Sequence, residues 1–235
     1  MQRNTELKVV GIGVAVLIVF ALGVGILLGN ATPAAPTVNA TTVPALSASN
    51  HVRGDSTSKI SVIEYGDFQC PACGAYEPIV EQLTQQYGGR VAFAFRNFPL
   101  TQVHQDAEIA AQAAEAAALQ GKYWEMHDLL YQKQTEWSNE SAATVVGKYF
   151  DGYAKSLGLD VTKFDADIQS SAVMSKITAD VASANAAAVD HTPTFFINLT
   201  QIANPGSVAE FQKDIDAALS AASPGATPLP LVPNR

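Results

Sequence analysis

The first strong pattern in the chain is an unbroken apolar run, Val9 to Gly29 (VVGIGVAVLIVFALGVGILLG). About 20 such residues suffice to cross a bilayer as a helix. From Asn30 to about Asp55 there is neither helical nor alternating periodicity, and Ala, Thr, Ser, Pro and Asn dominate. That composition predicts a flexible tether with a root-mean-square span on the order of 25 to 30 Å. Lys59 to Tyr65 (KISVIEY) is short, β-branched and bounded by polar residues, as a buried strand should be. Tyr76, Ile79, Val80, Leu83 and Tyr87 then recur at helical spacing until Gly88 and Gly89 end the run. Arg90 to Phe98 alternates Val91, Phe93 and Phe95 with smaller or polar residues, which predicts the next strand.

From about His104 to Val189 the period is helical. An alanine-rich stretch (AEIAAQAAEAAALQ) leads to Trp124, Met126, Leu129 and Leu130, and later to Phe164, Ile168, Val173, Ile177 and Val181. Alanine is a strong helix former and permits close helix packing. Thr192 to Asn198 (TPTFFIN) returns to a strand-like run after a proline, although Leu199-Thr200 gives its hairpin turn no glycine. The last helix is announced by a capping box, Ser207 with Glu210, and by Val208, Phe211, Ile215 and Leu219 on one face. Ser223 to Arg235 carries four prolines and reads as a disordered tail. One α/β domain is expected over residues 56–222.

Charge sets the orientation. Arg3 and Lys8 flank the apolar run on one side, and no charge of either sign follows it until Arg53. Positive residues stay cytoplasmic, so residues 1–8 are expected inside and everything beyond Gly29 outside. The run is longer than the 7 to 15 apolar residues usual in a cleaved signal peptide, which favours a single-pass anchor over residues 9–29. Gly29-Asn30-Ala31 and Val38-Asn39-Ala40 are weak cleavage sites at best, and no cysteine is near for lipid attachment. Beyond Gly29 the net charge is −9, which argues against a nucleic-acid partner.

Both cysteines of the 235-residue chain stand two residues apart, in FQCPACG. In an oxidising compartment a structural staple is useful when it closes a long loop, and a bridge across two residues removes little unfolded-chain entropy. Zinc asks for about four ligands, and the four histidines (His51, His104, His127, His191) show no paired spacing to supply them. A redox role needs a strand-to-helix turn, and the pattern supplies one: strand, Cys70, Pro71 in the first helical turn, helix. Unpaired amides and the positive helix end favour an anion there, so Cys70 is expected to be the low-pKa thiolate and Cys73, one turn deeper, the shielded partner.

With these residues in view, the chain resembles the DsbA-like branch of the thioredoxin superfamily. CPAC opens the first helix, TPTFFIN matches the proline loop that faces it, and EYGDFQCPAC, AFRNFPL and GKYWEMHD follow family segments in order over about residues 52 to 220. The resemblance implies a central mixed sheet flanked by helices, with a helical insertion at about residues 104–189. It implies that Pro193 is a cis-proline and that Thr192 presents backbone groups to an extended substrate. It places Glu64, six residues before Cys70, where relatives hold a buried acid that relays a proton to or from Cys73; a glutamate turned to solvent is the competing reading. His191 stands where relatives commonly carry glycine, either near the thiolate as a modulator or pointing away. Ala72 replaces the histidine found in the family's strong oxidants, which puts extreme oxidising power in doubt.

The expected activity is that of a membrane-tethered, extracytoplasmic protein-disulfide oxidoreductase. No cofactor or metal is expected beyond the Cys70–Cys73 redox pair. An oxidase is favoured, acting on cysteine-containing extracytoplasmic proteins and recharged by a quinone-linked DsbB-like or VKOR-like membrane partner. A reductase or isomerase on the same scaffold and a non-catalytic peptide-binding holdase remain open. Asn30, Asn39, Asn139 and Asn198 head Asn-x-Ser/Thr triplets, short matches that arise often by chance.

Overall fold

The computed structural model describes residue 43 and residues 45–222. The apolar run 9–29, most of the tether and the tail 223–235 lie outside the described residues. Two of the predicted strands form the centre of the sheet. β2 (Ser61–Gly66) pairs in parallel with β3 (Ala92–Asn97), and the crossover between them is α1 (Pro71–Tyr87). β4 (Thr194–Ile197) lies antiparallel on the other side of β2. β5 (Thr200–Gln201) closes that edge as the second arm of a hairpin. Its turn, Asn198-Leu199, has φ 51° and 91°, the left-handed pair that a two-residue hairpin requires. The turn therefore forms without glycine, and Asn198 is fixed by accepting from the Ser61 backbone N–H at 3.0 Å.

The other edge corrects the expected boundary of the tether. His51–Gly54 is a strand, β1, antiparallel to β3, so the order is β1-β3-β2-β4-β5 and the folded domain begins before residue 56. A four-residue strand with one apolar side chain, Val52, is too short to show an alternation, and its two polar side chains, His51 and Arg53, find their partners on the insertion. His51 stacks on Tyr123 at 3.6 Å and meets Glu115 at 2.8 Å, and Arg53 pairs with Asp128 at 2.7 Å. Gly54, at φ 93°, ends the strand where a Cβ would lie 2.4 Å from the Val91 carbonyl oxygen.

Strand parity divides the core. Val62, Phe93, Phe195 and Ile197 face α1 and the last helix, α9 (Val208–Ala222), packing with Leu83, Tyr87, Phe211 and Ile215. Ile63, Tyr65, Ala94 and Phe196 face the opposite way, against Ala184, Ala187 and Val189. Between β3 and β4 lies the expected insertion: α2 (Ala107–Ala118), α3 (Tyr123–Gln132), α4 (Gln134–Trp137), α5 (Ala142–Thr144), a π-helical turn Val145–Phe150, α6 (Asp151–Ser156), α7 (Val161–Ile168) and α8 (Ser171–Ala186). Its alanines let most of α2 sink into the core of the insertion, beside Met126, Leu130, Trp137, Phe150 and Phe164. At α9 the capping box is half as expected. Ser207 Oγ accepts from the Glu210 N–H, but the Glu210 carboxylate reaches back to the N–H of Gly206.

Candidate redox site

The turn Asp67-Phe68-Gln69 delivers Cys70 to the N-terminus of α1. Cys70 keeps an extended backbone (φ −69°, ψ 120°), and Pro71 occupies the first helical position, where its missing N–H costs nothing. No acidic side chain stands in the first turn to oppose a thiolate. Asp67 holds the turn from beneath: its buried carboxylate accepts from the N–H groups of Gln69 (2.7 Å) and Leu100 (2.9 Å) and pairs with His104 Nδ1 (2.7 Å). Cys70 and Cys73 are free thiols, Cys70 7 % exposed and Cys73 fully covered, with Pro71 and Ala72 exposed between them. Cys70 Sγ lies 3.5 Å from the Thr192 carbonyl oxygen, across 122 residues of sequence. Thr192-Pro193 is a cis bond, and Asn204 Nδ2 donates to the Pro193 carbonyl at 2.7 Å.

The two thiols are driven apart electrostatically. A hydrogen bond from Cys73 is the largest influence on Cys70. Burial works against it, but Thr192 and the backbone N–H groups of Cys73 and Ala72 add to it, and the pKa falls to about 5. Burial, donation to Cys70 and the nearby Glu64 push Cys73 well above its ordinary value. The low-pKa thiol and its shielded neighbour are thus distinguished by their surroundings on the same turn.

Glu64 is buried, and the competing reading of a glutamate turned to solvent is overturned. The reason is parity: Glu64 shares a face with Val62 and is paired with Phe95 on one side and Phe195 on the other, beneath α1. Burial, then Glu77 and Cys70, raise its pKa well above its ordinary value and favour the protonated carboxyl. It lines a small cleft with Glu77, His127 and Arg53, of about 20 Å³, which is room for one water molecule. Burial and Asp128 bring Glu77 up to about 8. His127 Nδ1 lies 3.0 Å from Asp128 and 4.0 Å from Glu77, and burial lowers its pKa although Asp128 works the other way. Burial would raise Asp128, but His127 and Arg53 outweigh it and hold it low. Glu77, His127 and Asp128 are close enough to share a cation, but the Arg53 guanidinium already spans both Asp128 oxygens at 2.7 Å. Sequence reasoning missed this group. Glu77 falls on the α1 stripe formed by Cys70, Cys73 and Val80, and that spacing is the one signal that points to it. His191 is exposed and paired with Asp190 at 2.7 Å; the strongest influences on Cys70 do not include it.

A free, low-pKa cysteine at a helix start, a buried second thiol, a buried acid below them and a cis-proline loop alongside make up a site whose chemistry suits thiol–disulfide exchange. Residues 47–217 match the family described as Thioredoxin, and the chain belongs to it. Among solved structures, α-DsbA1 from Wolbachia pipientis superposes with a TM-score of 0.67 at 21 % identity, covering 79 % of this chain and 98 % of that one. Oxidised BdbD from Bacillus subtilis gives 0.64 at 22 % identity, covering 73 % and 94 %. The fold is therefore that of the DsbA-like proteins. A curated relative named Na(+)/H(+) antiporter NhaA 3, from Salinispora tropica, is 38 % identical over 173 residues, 74 % of this chain and 25 % of that protein. The chain spans about a quarter of the length of the curated relatives it matches. Among the described residues no helix is long and apolar enough to cross a membrane.

Proposed function

We propose that the protein is a disulfide oxidase that transfers the Cys70–Cys73 disulfide to cysteine-containing proteins outside the cytoplasm. The observation that carries this reading is the Cys70 thiolate, held at about pKa 5. Stabilising the thiolate stabilises the reduced form, and a couple whose reduced form is stable gives its disulfide away. In the forward step a substrate thiolate attacks Cys70 Sγ and the Cys70–Cys73 bond breaks. Cys73 leaves as a thiolate and takes the proton of Glu64. A second substrate thiolate then attacks the substrate sulfur of the mixed disulfide and releases Cys70 as its stable thiolate. The substrate loses two electrons and the protein gains them. Thr192, beside Cys70 and the proline loop, offers its backbone to the extended substrate strand.

The rest of the reading extends the sequence argument. The apolar run 9–29 anchors the chain with its domain outside, and a quinone-linked DsbB-like or VKOR-like membrane protein reoxidises Cys70–Cys73. Equilibration with glutathione buffers tests the direction. A reduction potential toward −120 mV supports the donor, and one at or below roughly −230 mV turns the assignment to a reductase. Ala72, with no positive donor between the cysteines, places the expected value below the upper end of that range. A holdase is separated by Cys70→Ser, which abolishes exchange but leaves peptide protection intact.

A further inference from the structure

Gly74 directly follows the redox pair and lies inside α1, where its backbone needs no positive φ. Glycine there is less favourable to the helix than alanine would be. The space a side chain would fill is occupied from outside the helix: a Cβ at residue 74 would come 2.7 Å from Oε1 of Gln134. Gln134 belongs to α4 of the insertion, and its Nε2 donates to two backbone carbonyls of the active-site turn, Phe68 at 2.8 Å and Cys70 at 2.9 Å. The contact is reinforced from the other side. Gln69 Nε2 donates to the Ser138 carbonyl at 2.6 Å, and its Oε1 accepts from the Asp106 N–H at 2.7 Å. Trp137, fully buried and donating to the Leu130 carbonyl at 2.9 Å, fixes the segment that carries Gln134.

We propose that Gln134 is a positioning residue of the redox centre, and that residue 74 is glycine in order to admit its amide. The inference rests on the oxidoreductase reading of Cys70 and deepens it. The carbonyl oxygens of Phe68 and Cys70 are the negative ends of dipoles two residues before the thiolate and on its own residue. An amide N–H on each offsets that field, and the two bonds together hold Cys70 in the extended conformation that directs its sulfur to the helix start and to Thr192. The insertion thereby sets the reactivity of a cysteine that belongs to the sheet domain.

The test is the pH profile of Cys70 in the full chain, read by thiolate absorbance at 240 nm and by the rate of alkylation. The titratable neighbours Cys73 and Glu64 are untouched in every variant. Gln134→Met keeps the size and removes the donor, and should raise the Cys70 pKa by about 0.5 to 1 unit, three- to tenfold in the ionisation constant. Gln134→Glu keeps the shape and sets an acceptor against two carbonyls, so its shift should be at least as large. Gly74→Ala adds a methyl in a helix and displaces only the end of a flexible side chain; it should move the pKa the same way, and add nothing in the Gln134→Met background. Should Gln134→Met fail to fold, Gly74→Ala carries the test. Folded variants with the wild-type profile overturn the role of Gln134 while leaving exchange activity in place. A wild-type Cys70 that titrates near an ordinary cysteine and supports no exchange overturns the functional reading itself.

Discussion

Reduction of the Cys70–Cys73 disulfide near neutral pH should take up one proton, where an ordinary dithiol takes up two. Cys70, held at about 5 by the Cys73 hydrogen bond, stays ionised. Cys73, pushed well above its ordinary value, takes the proton. Free thiols titrate near 8.5, so each protein molecule reduced by two glutathiones releases one proton to solvent between about pH 5.5 and 7.5. The equilibrium constant for that reduction should rise about tenfold per pH unit, equivalent to roughly 30 mV for a two-electron couple. Over the two units the change is about a hundredfold, or roughly 60 mV, and it should flatten below about pH 5, where Cys70 regains its proton. The assay is equilibration in glutathione buffers at fixed pH, acid quenching and counting of free thiols. The same ionisation affects folding of the reduced protein. A depressed folded pKa adds stability that is complete above the unfolded thiol's pKa and is lost as pH falls through about 5. Cys70→Ser should remove that slope from reduced-state melting curves. A glutathione constant that is independent of pH from 5.5 to 7.5 would refute the assignment of Cys70 as the thiolate.

The remaining predictions concern single side chains. Cys70→Ser should abolish exchange, whereas Cys73→Ser should still attack and accumulate mixed disulfides, visible as thiol-sensitive adducts on non-reducing gels. Glu64→Gln should slow proton transfer at Cys73 by on the order of a hundredfold in single-turnover exchange while leaving the alkylation profile of Cys70 in place; an unchanged rate removes Glu64 from the relay. Glu77, brought up to about 8 by burial, contributes stability that is present below the unfolded carboxyl pKa and lost as pH rises through about 8. Glu77→Gln should therefore stabilise the protein by a few kcal/mol near pH 8 and by nothing below about pH 4, and equal stabilisation at both pH values in denaturant titrations would count against a buried, titrating carboxyl.

What the sequence determined by itself was whatever depends on local period and local chemistry. The strand at Ser61–Gly66, the helix from Pro71 and the strand at Ala92–Asn97 follow from spacing, because burying one face of an element imposes that spacing. The thiolate position of Cys70 follows from its place before a helix-starting proline, and residues 192–193 were legible through their resemblance to a family segment. Tertiary structure decided the rest, since it depends on which elements meet. β1 was invisible because His51 and Arg53 satisfy Glu115 and Asp128 across the domain and bury no apolar stripe. The burial of Glu64 required knowing that the helix returning from its own strand would cover that face. Glu77, His127 and Asp128 come together only when the insertion packs on α1. The amide of Gln134, 64 residues from Cys70, meets its carbonyl for the same reason: a chain's local pattern fixes what each element can bury, and only the packing of elements fixes which polar groups then find each other.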